Sequence, residues 1–177
     1  MIIIFIVLLI IALIILLWQM SNIISVLSGS PYVMADKKVV IESLKAAGLK
    51  KGDIFYDLGC GRGDVLICAE KMGAKAIGYE ISPYYYIWAK IRTLNKSNIK
   101  IKYQNINNVN LKKADVVYCY LLPKFLEKLS LKFKKELKEG ARLISIGFPV
   151  KNSTIIAPAK KVEKYMVEHH KIYIYKF

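Results

Sequence analysis

An acid, three alternating glycines and a second acid are the residues of this chain that could do chemistry together. Asp57-Leu58-Gly59-Cys60-Gly61-Arg62-Gly63 follows the apolar pair Ile54-Phe55 and precedes Asp64-Val65-Leu66-Ile67. That order reads as strand, turn and helix, with Asp64 as a first-turn acid. Glycines at alternate positions admit positive φ and let a backbone approach a ligand closely. The helix start behind them offers free N–H groups to an anionic or polar group. Dinucleotide-binding turns want Gly-x-Gly-x-x-Gly, whose last glycine packs helix against strand. Counted from Gly59 and Gly61, that last position is Asp64, so the spacing here is Gly-x-Gly-x-Gly. Glu80 lies 17 residues after Gly63 and closes the next strand. A carboxylate there can accept two hydrogen bonds from a ribose diol; the plainer alternative is a solvated strand end. Cys60, Cys68 and Cys119 form no C-x-x-C pair, and the two histidines, His169 and His170, are adjacent. That pattern argues against a zinc site, and three unpaired thiols fit a reducing compartment.

The elements that must position these residues alternate along the chain. Asp36 to Ala47 has apolar residues at helical spacing and ends at Gly48. Strands are expected at Ile54–Leu58, Lys75–Tyr79, Ile99–Tyr103, Asp115–Leu121 and Ala141–Phe148. Helices are expected between them. One runs from the glycine turn to near Gly73. One is opened by the Ser82 hydroxyl with Pro83 behind it and runs to about Leu94. One runs from Pro123 to Gly140, with Phe125, Leu126, Leu129, Phe133 and Leu137 inward and six lysines outward. Tyr84, Tyr85, Tyr86 and Trp88 on the second of these could stack bases, but core and rim packing is the favoured reading. Lys161–Glu168 and Lys171–Lys176 read as a hairpin turning at His169-His170. Strands alternating with helices and closed by a hairpin predict an α/β fold, a doubly wound, mostly parallel seven-stranded sheet with one reversed strand. The ends of its first and fourth strands then meet at the switch point where ligands bind.

The seven residues Asp57 to Gly63 closely resemble the first motif of class I, seven-β-strand, S-adenosylmethionine-dependent methyltransferases. The resemblance implies a Rossmann-like fold and S-adenosylmethionine as cofactor. It implies that Asp57, Gly59, Cys60, Gly61 and Gly63 hold the methionine part, Glu80 the ribose and Ile81 the adenine ring. Asn105 stands where the family often has Asp, and its carbonyl oxygen can accept the same bond from the adenine amino group. The fourth strand ends Cys119-Tyr120-Leu121-Leu122-Pro123. It lacks both the [DNS]-P-P-[YFW] signature of amino-nitrogen base methyltransferases and the Pro-Cys pair of cytosine-C5 enzymes. Pro31-Tyr32-Val33, Gly78 to Pro83, the proline after strand four and Gly147-Phe148-Pro149 narrow the resemblance. They are similar to the membrane-anchored protein-lysine methyltransferases related to the enzymes that act on the ATP synthase c-ring protein and the adenine nucleotide translocase. The similarity covers roughly residues 31–150. Met34-Ala35 replaces that subfamily's usual Pro-Ser/Thr, and Arg62 stands where an acid is common. Tyr32 and Tyr120 are the candidates to line an acceptor channel, or else are rim aromatics.

Ile2 to Trp18 is an unbroken apolar run of 17 residues, about 26 Å long as a helix. Mostly apolar sequence continues to Leu27, enough for a tilted span. No basic residue precedes the run, as a cleaved signal peptide would want. Residues 1–28 are therefore expected to be a transmembrane anchor with a short linker, in contact with the bilayer through residues 2–27. Residues 29–177 are expected to form the methyltransferase domain. Lys37, Lys38 and Lys45 follow the span and no Lys or Arg precedes it, which predicts a single-pass protein of the cell membrane with the domain in the cytoplasm. Residues 1–35 carry no charge, so the net +15 lies wholly on the remainder. It could attract anionic lipid, acidic protein or nucleic acid; scattered solvated lysines explain it as well, and nucleic acid is not favoured. The leading expectation is methyl transfer to a lysine of a membrane-associated protein. The alternatives are an RNA or a small or lipidic acceptor, or a cofactor-binding membrane module without catalysis. The span ends within about ten residues of the first domain helix, and a flexible link of that length reaches about 16–19 Å.

Overall fold

The computed structural model describes residues 1–27, 33–150, 159 and 161–177. An apolar helix, α1 (Ile2–Leu27), precedes α2 (Lys37–Ala46), which is capped by the Asp36 carboxylate. Then come β1 (Ile54–Leu58), α3 (Asp64–Lys71), β2 (Lys75–Glu80), α4 (Pro83–Arg92) and β3 (Ile99–Tyr103). A 3₁₀ turn, Ile106–Asn108, leads to β4 (Val116–Cys119), α5 (Pro123–Glu136) and β5 (Arg142–Ile146). The hairpin is β6 (Lys161–Val167) and β7 (His170–Lys176).

The seven strands form one sheet in the order β3-β2-β1-β4-β5-β7-β6. All pairs from β3 to β5 are parallel, and β7 is antiparallel to both its neighbours. This is the expected doubly wound sheet with one reversed strand. Each face is covered. Leu44, Val65, Leu66 and Ala89, from α2, α3 and α4, pack on Phe55, Ala76, Val116 and Ile144. Leu126, Leu129 and Phe133 of α5 pack on Tyr56, Leu58, Val117 and Leu143. Burial on both faces is why these strands are almost wholly apolar. The polar exceptions, Asp57 and Glu80, sit at the ends of β1 and β2, where the sheet opens.

Gly78 sets the spacing of this sandwich. A Cβ there would lie 2.5 Å from Leu66 Cδ1 and 2.6 Å from Cys60 Sγ. Helix α3 and the glycine turn therefore approach β2 more closely than any side chain allows. The packing role that dinucleotide-binding turns give to their third glycine falls here to a glycine in the neighbouring strand.

Two expectations are corrected. The hairpin turns at Glu168-His169 rather than His169-His170; Glu168 takes φ 54° and His170 already belongs to β7. Ser82 does occupy the N-cap of α4, but its side chain makes no capping bond and its buried hydroxyl has no partner among the described residues. The Tyr84 N–H that a cap would satisfy is taken from elsewhere: it donates to Ser21 Oγ of α1 at 3.0 Å. Ser21 is fully buried, and the Tyr85 hydroxyl donates to Asn22 Oδ1 at 3.3 Å. The last turns of α1 are thus bonded to the domain, where the sequence suggested only a flexible link. That link's residues 28–32 lie outside the described residues. From Ile2 to Leu16, α1 touches little and its side chains are exposed. By length and composition, Ile2–Ile24 could cross a membrane.

Candidate active site

The C-terminal ends of β1, β2 and β4 surround a cleft of about 890 Å³, its open mouth included. It lies at the switch point, because the chain leaves β1 toward β2 on one side while β4 lies on the other. Asp57, Gly59, Cys60, Gly61, Glu80, Ile81, Asn105 and Tyr120 all line it. Gly63 stands behind the turn as the N-cap of α3, in a left-handed conformation. Tyr32 lies outside the described residues.

The turn is built by backbone geometry. Gly59 and Gly61 have φ 86° and 50°, values that side chains resist. The N–H groups of Gly59 and Cys60 both donate to the Tyr79 carbonyl, at 2.9 and 3.0 Å, tying the turn to β2. The Cys60 side chain packs inward against Gly78. Burial, with Asp57 and Glu80 nearby, pushes its thiol well above the usual range, so what Cys60 presents to the cleft is backbone.

Glu80 completes the tie. Its carboxylate accepts from the N–H of Gly61 at 2.8 Å, of Ile81 at 2.9 Å and of Ser82 at 2.8 Å. It is 6% exposed. Burial raises its pKa above the usual carboxylate range, and the three N–H groups oppose that rise. Asp57 is more deeply buried; burial first, then the charges of Glu80 and Asp64, hold its pKa well above the usual range. Two carboxyl groups disfavoured as anions in one cleft suit a ligand that brings positive charge. Asn105 Oδ1 accepts from the Asn107 N–H at 2.9 Å and so caps the 3₁₀ turn; an amide oxygen has a second lone pair to offer.

Tyr118 escaped the sequence reading. It pairs with Asp57 in register across β1 and β4, lines the cleft, and is 1% exposed. Its hydroxyl has no partner among the described residues. The signal for it is parity, since Tyr118 and Tyr120 alternate with Cys119 along one strand. Cys119 points the other way, donates to the Ile144 carbonyl at 3.3 Å, and has its pKa pushed up to about 12 by burial. Val33, Ala35, Leu121 and Phe125 give the rest of the cleft an apolar wall. Among the described residues no group of three or more His, Cys, Asp or Glu could hold a metal ion.

Buried acids, an orphaned hydroxyl and a glycine-rich turn fit a cationic nucleoside with a diol, which is the chemistry of S-adenosylmethionine. The comparisons agree. The family model described as ANTKMT methyltransferase domain matches residues 57–157. A protein-lysine N-methyltransferase of Saccharolobus islandicus (strain REY15A) is 34% identical over 151 residues, covering 82% of this chain and 92% of that protein. The adenine nucleotide translocase lysine N-methyltransferase of Mus musculus is 29% identical over 124 residues, covering 68% of this chain. The chain spans only 54% of that relative's length. Among solved structures, an RNA methyltransferase from Salinibacter ruber in complex with S-adenosyl-L-homocysteine superposes with TM-score 0.72 at 25% identity, covering 80% of this chain and 92% of that one. The chain belongs to the ANTKMT methyltransferase family and is an S-adenosylmethionine-dependent methyltransferase.

Proposed function

We propose that the protein is anchored in a membrane by residues 1–28 and methylates a lysine side chain of a membrane-associated protein with its domain, residues 29–177. The observation that carries this is the cleft itself, with buried Asp57 and Glu80 on one side and an apolar wall on the other, in a chain whose relatives are named for lysine transfer. The cofactor supplies a methyl group on a sulfonium, which is already a good leaving group. What remains for the chain is positioning and the exclusion of water. A lysine must also lose its proton to attack. Its reference pKa is about 10.4, and an apolar wall lowers it by disfavouring the ammonium. Tyr120, Leu121, Phe125 and Val33 supply that wall, and Tyr118 offers a hydroxyl at its base. Asp57, the glycine turn, Glu80, Ile81 and Asn105 are assigned to the cofactor.

Lys37, Lys38 and Lys45 after the span support a cytoplasmic domain. The test is labelling: tritiated S-adenosylmethionine with the full-length protein and source membranes, cytosol or RNA. Label is expected in small integral membrane proteins, at lysine. A second reading, RNA as acceptor, draws on the Salinibacter ruber likeness and the basic domain; label in the RNA fraction would establish it and remove the first.

A further inference from the structure

We propose that α4 is a membrane-surface helix, whose outward face lies on an anionic bilayer beside the span and sets the mouth of the cleft at headgroup level. The proposal rests on the reading of α1 as a membrane span and adds an orientation to it.

The outward face of α4 is apolar. Ile87, Trp88, Ile91 and, just past the helix end, Leu94 follow one another at helical spacing and are 47%, 38%, 53% and 75% exposed. Apart from the Arg62 guanidinium over the Trp88 ring, no contact among the described residues takes up this face. A contiguous apolar stripe of this kind marks an interaction surface. Its position beside α1 and its charge identify the bilayer as the occupant. The Tyr84 N–H and the Tyr85 hydroxyl, in the first turn of α4, are bonded to Ser21 and Asn22. Ile2 to Met20 rises about 28 Å as a helix, close to the thickness of the hydrocarbon core. Ser21 and Asn22 therefore stand where the span leaves the lipid, and Trp18, about one turn earlier in α1, sits at the depth of an aromatic belt. The N-terminus of α4 is pinned at that boundary.

The chain through α4 and β3 carries an excess of positive charge. From Ile81 to Ala114 the chain has seven Lys and Arg and no acidic residue. Arg92 is held by Asp64 and Lys96 by Glu70, but Lys90 on α4 and Lys100 and Lys102 on the edge strand β3 are exposed. Apolar and aromatic residues flanked by lysine are the composition of helices that lie in a headgroup layer. The stripe is also continuous with the cleft. Ile81 and Tyr85 line the cleft, and the Arg62 guanidinium lies over the Trp88 ring, 5.6 Å from its centre. Seating α4 on lipid would open the cleft toward the boundary residues of integral proteins.

The chain has two tryptophans, Trp18 in α1 and Trp88 in α4, so each helix carries its own probe. Full-length Trp18→Phe and Trp88→Phe variants, each first shown to bind S-adenosylhomocysteine, are placed in phosphatidylcholine–phosphatidylglycerol vesicles with brominated acyl chains. Both remaining tryptophans are expected to be quenched by lipid, Trp88 best by bromine near the headgroups. Ile87→Glu with Ile91→Glu is expected to abolish quenching of Trp88 and leave that of Trp18 unchanged. Quenching of Trp18 alone overturns the seating of α4 and leaves the span intact; quenching of neither removes the span as well. Trp88 shielded from aqueous iodide but untouched by lipid bromine would mean that a protein covers the stripe, and would also overturn the proposal.

Discussion

Glu80 holds the cleft together from within the protein. Three main-chain N–H groups converge on its carboxylate, one of them from the glycine turn. Glu80→Ala leaves them without that acceptor, at about 1–3 kcal/mol for each that water cannot reach. The variant is therefore expected to melt at lower temperature and to lose S-adenosylhomocysteine affinity together, by thermal unfolding and calorimetry. An unchanged melting temperature with weakened binding would confine Glu80 to ligand contact. The pH dependence follows from the raised pKa values of Asp57 and Glu80. Without ligand, the folded state binds more protons than the unfolded one between the ordinary carboxylate value, near 4, and the raised folded values. The contribution of these groups to stability is thus lost as pH rises through that window. A sulfonium beside them favours the anions, so binding S-adenosylmethionine should release protons and tighten as pH rises through the same window. S-adenosylhomocysteine, a neutral thioether, should release fewer. Calorimetry of both ligands in two buffers of unlike ionisation enthalpy measures the difference; equal proton release would mean that the sulfonium does not meet these acids.

At the scale of elements, the informative contrast is between two serines. Ser82 has the sequence position of a cap for α4 but makes no capping bond, whereas Ser21, 63 residues before Tyr84, accepts that helix's free N–H. Ser21→Ala is expected to cost about 1 kcal/mol in full-length protein, as loss of a helix cap does. Ser82→Ala should be nearly neutral, since its hydroxyl is already unpartnered among the described residues. Denaturant titration separates the two. Gly78→Ala drives a methyl into Leu66 and Cys60 and should cost about 1–3 kcal/mol by overpacking. These cases show where the sequence could be read and where it could not. β1, β2 and β3 and the start of α5 were legible because glycine, proline and alternating apolar residues act locally. So was the meeting of Asp57, the glycine turn and Glu80 at one cleft, because they share one strand-turn-helix and the strand beside it. The role of Tyr118 depends on its register against Asp57, and that of Gly78 on the approach of another element; neither leaves a local mark. The hairpin was misplaced because Glu168 takes the positive φ, where glycine or asparagine would have announced the turn.

At the scale of the whole molecule, Ser21 and Asn22 bond α1 to α4, and with α1 in a membrane that attachment would do two separable things. It raises the effective concentration of the cleft at one surface, and it fixes which way the cleft faces. The cores on both faces of the sheet are built from residue 39 onward, so deleting residues 1–27 should leave a folded domain. Cofactor affinity should change little, because Ser21 and Asn22 reach α4 and not the glycine turn. Labelling of an integral membrane target should fall sharply, while a soluble lysine peptide, if accepted, should be methylated as before. Replacing Ile2–Met20 with an unrelated apolar span, but keeping Ser21 and Asn22, should restore membrane labelling. Keeping the natural span while changing Ser21 and Asn22 to Ala should leave the protein in the membrane but lower labelling, because the same local concentration now meets a cleft that is not aimed. Initial rates on reconstituted target vesicles measure all four proteins. Full activity in the double alanine variant would reduce the anchor to a tether; undiminished labelling by the deleted form would remove the membrane from the reaction altogether.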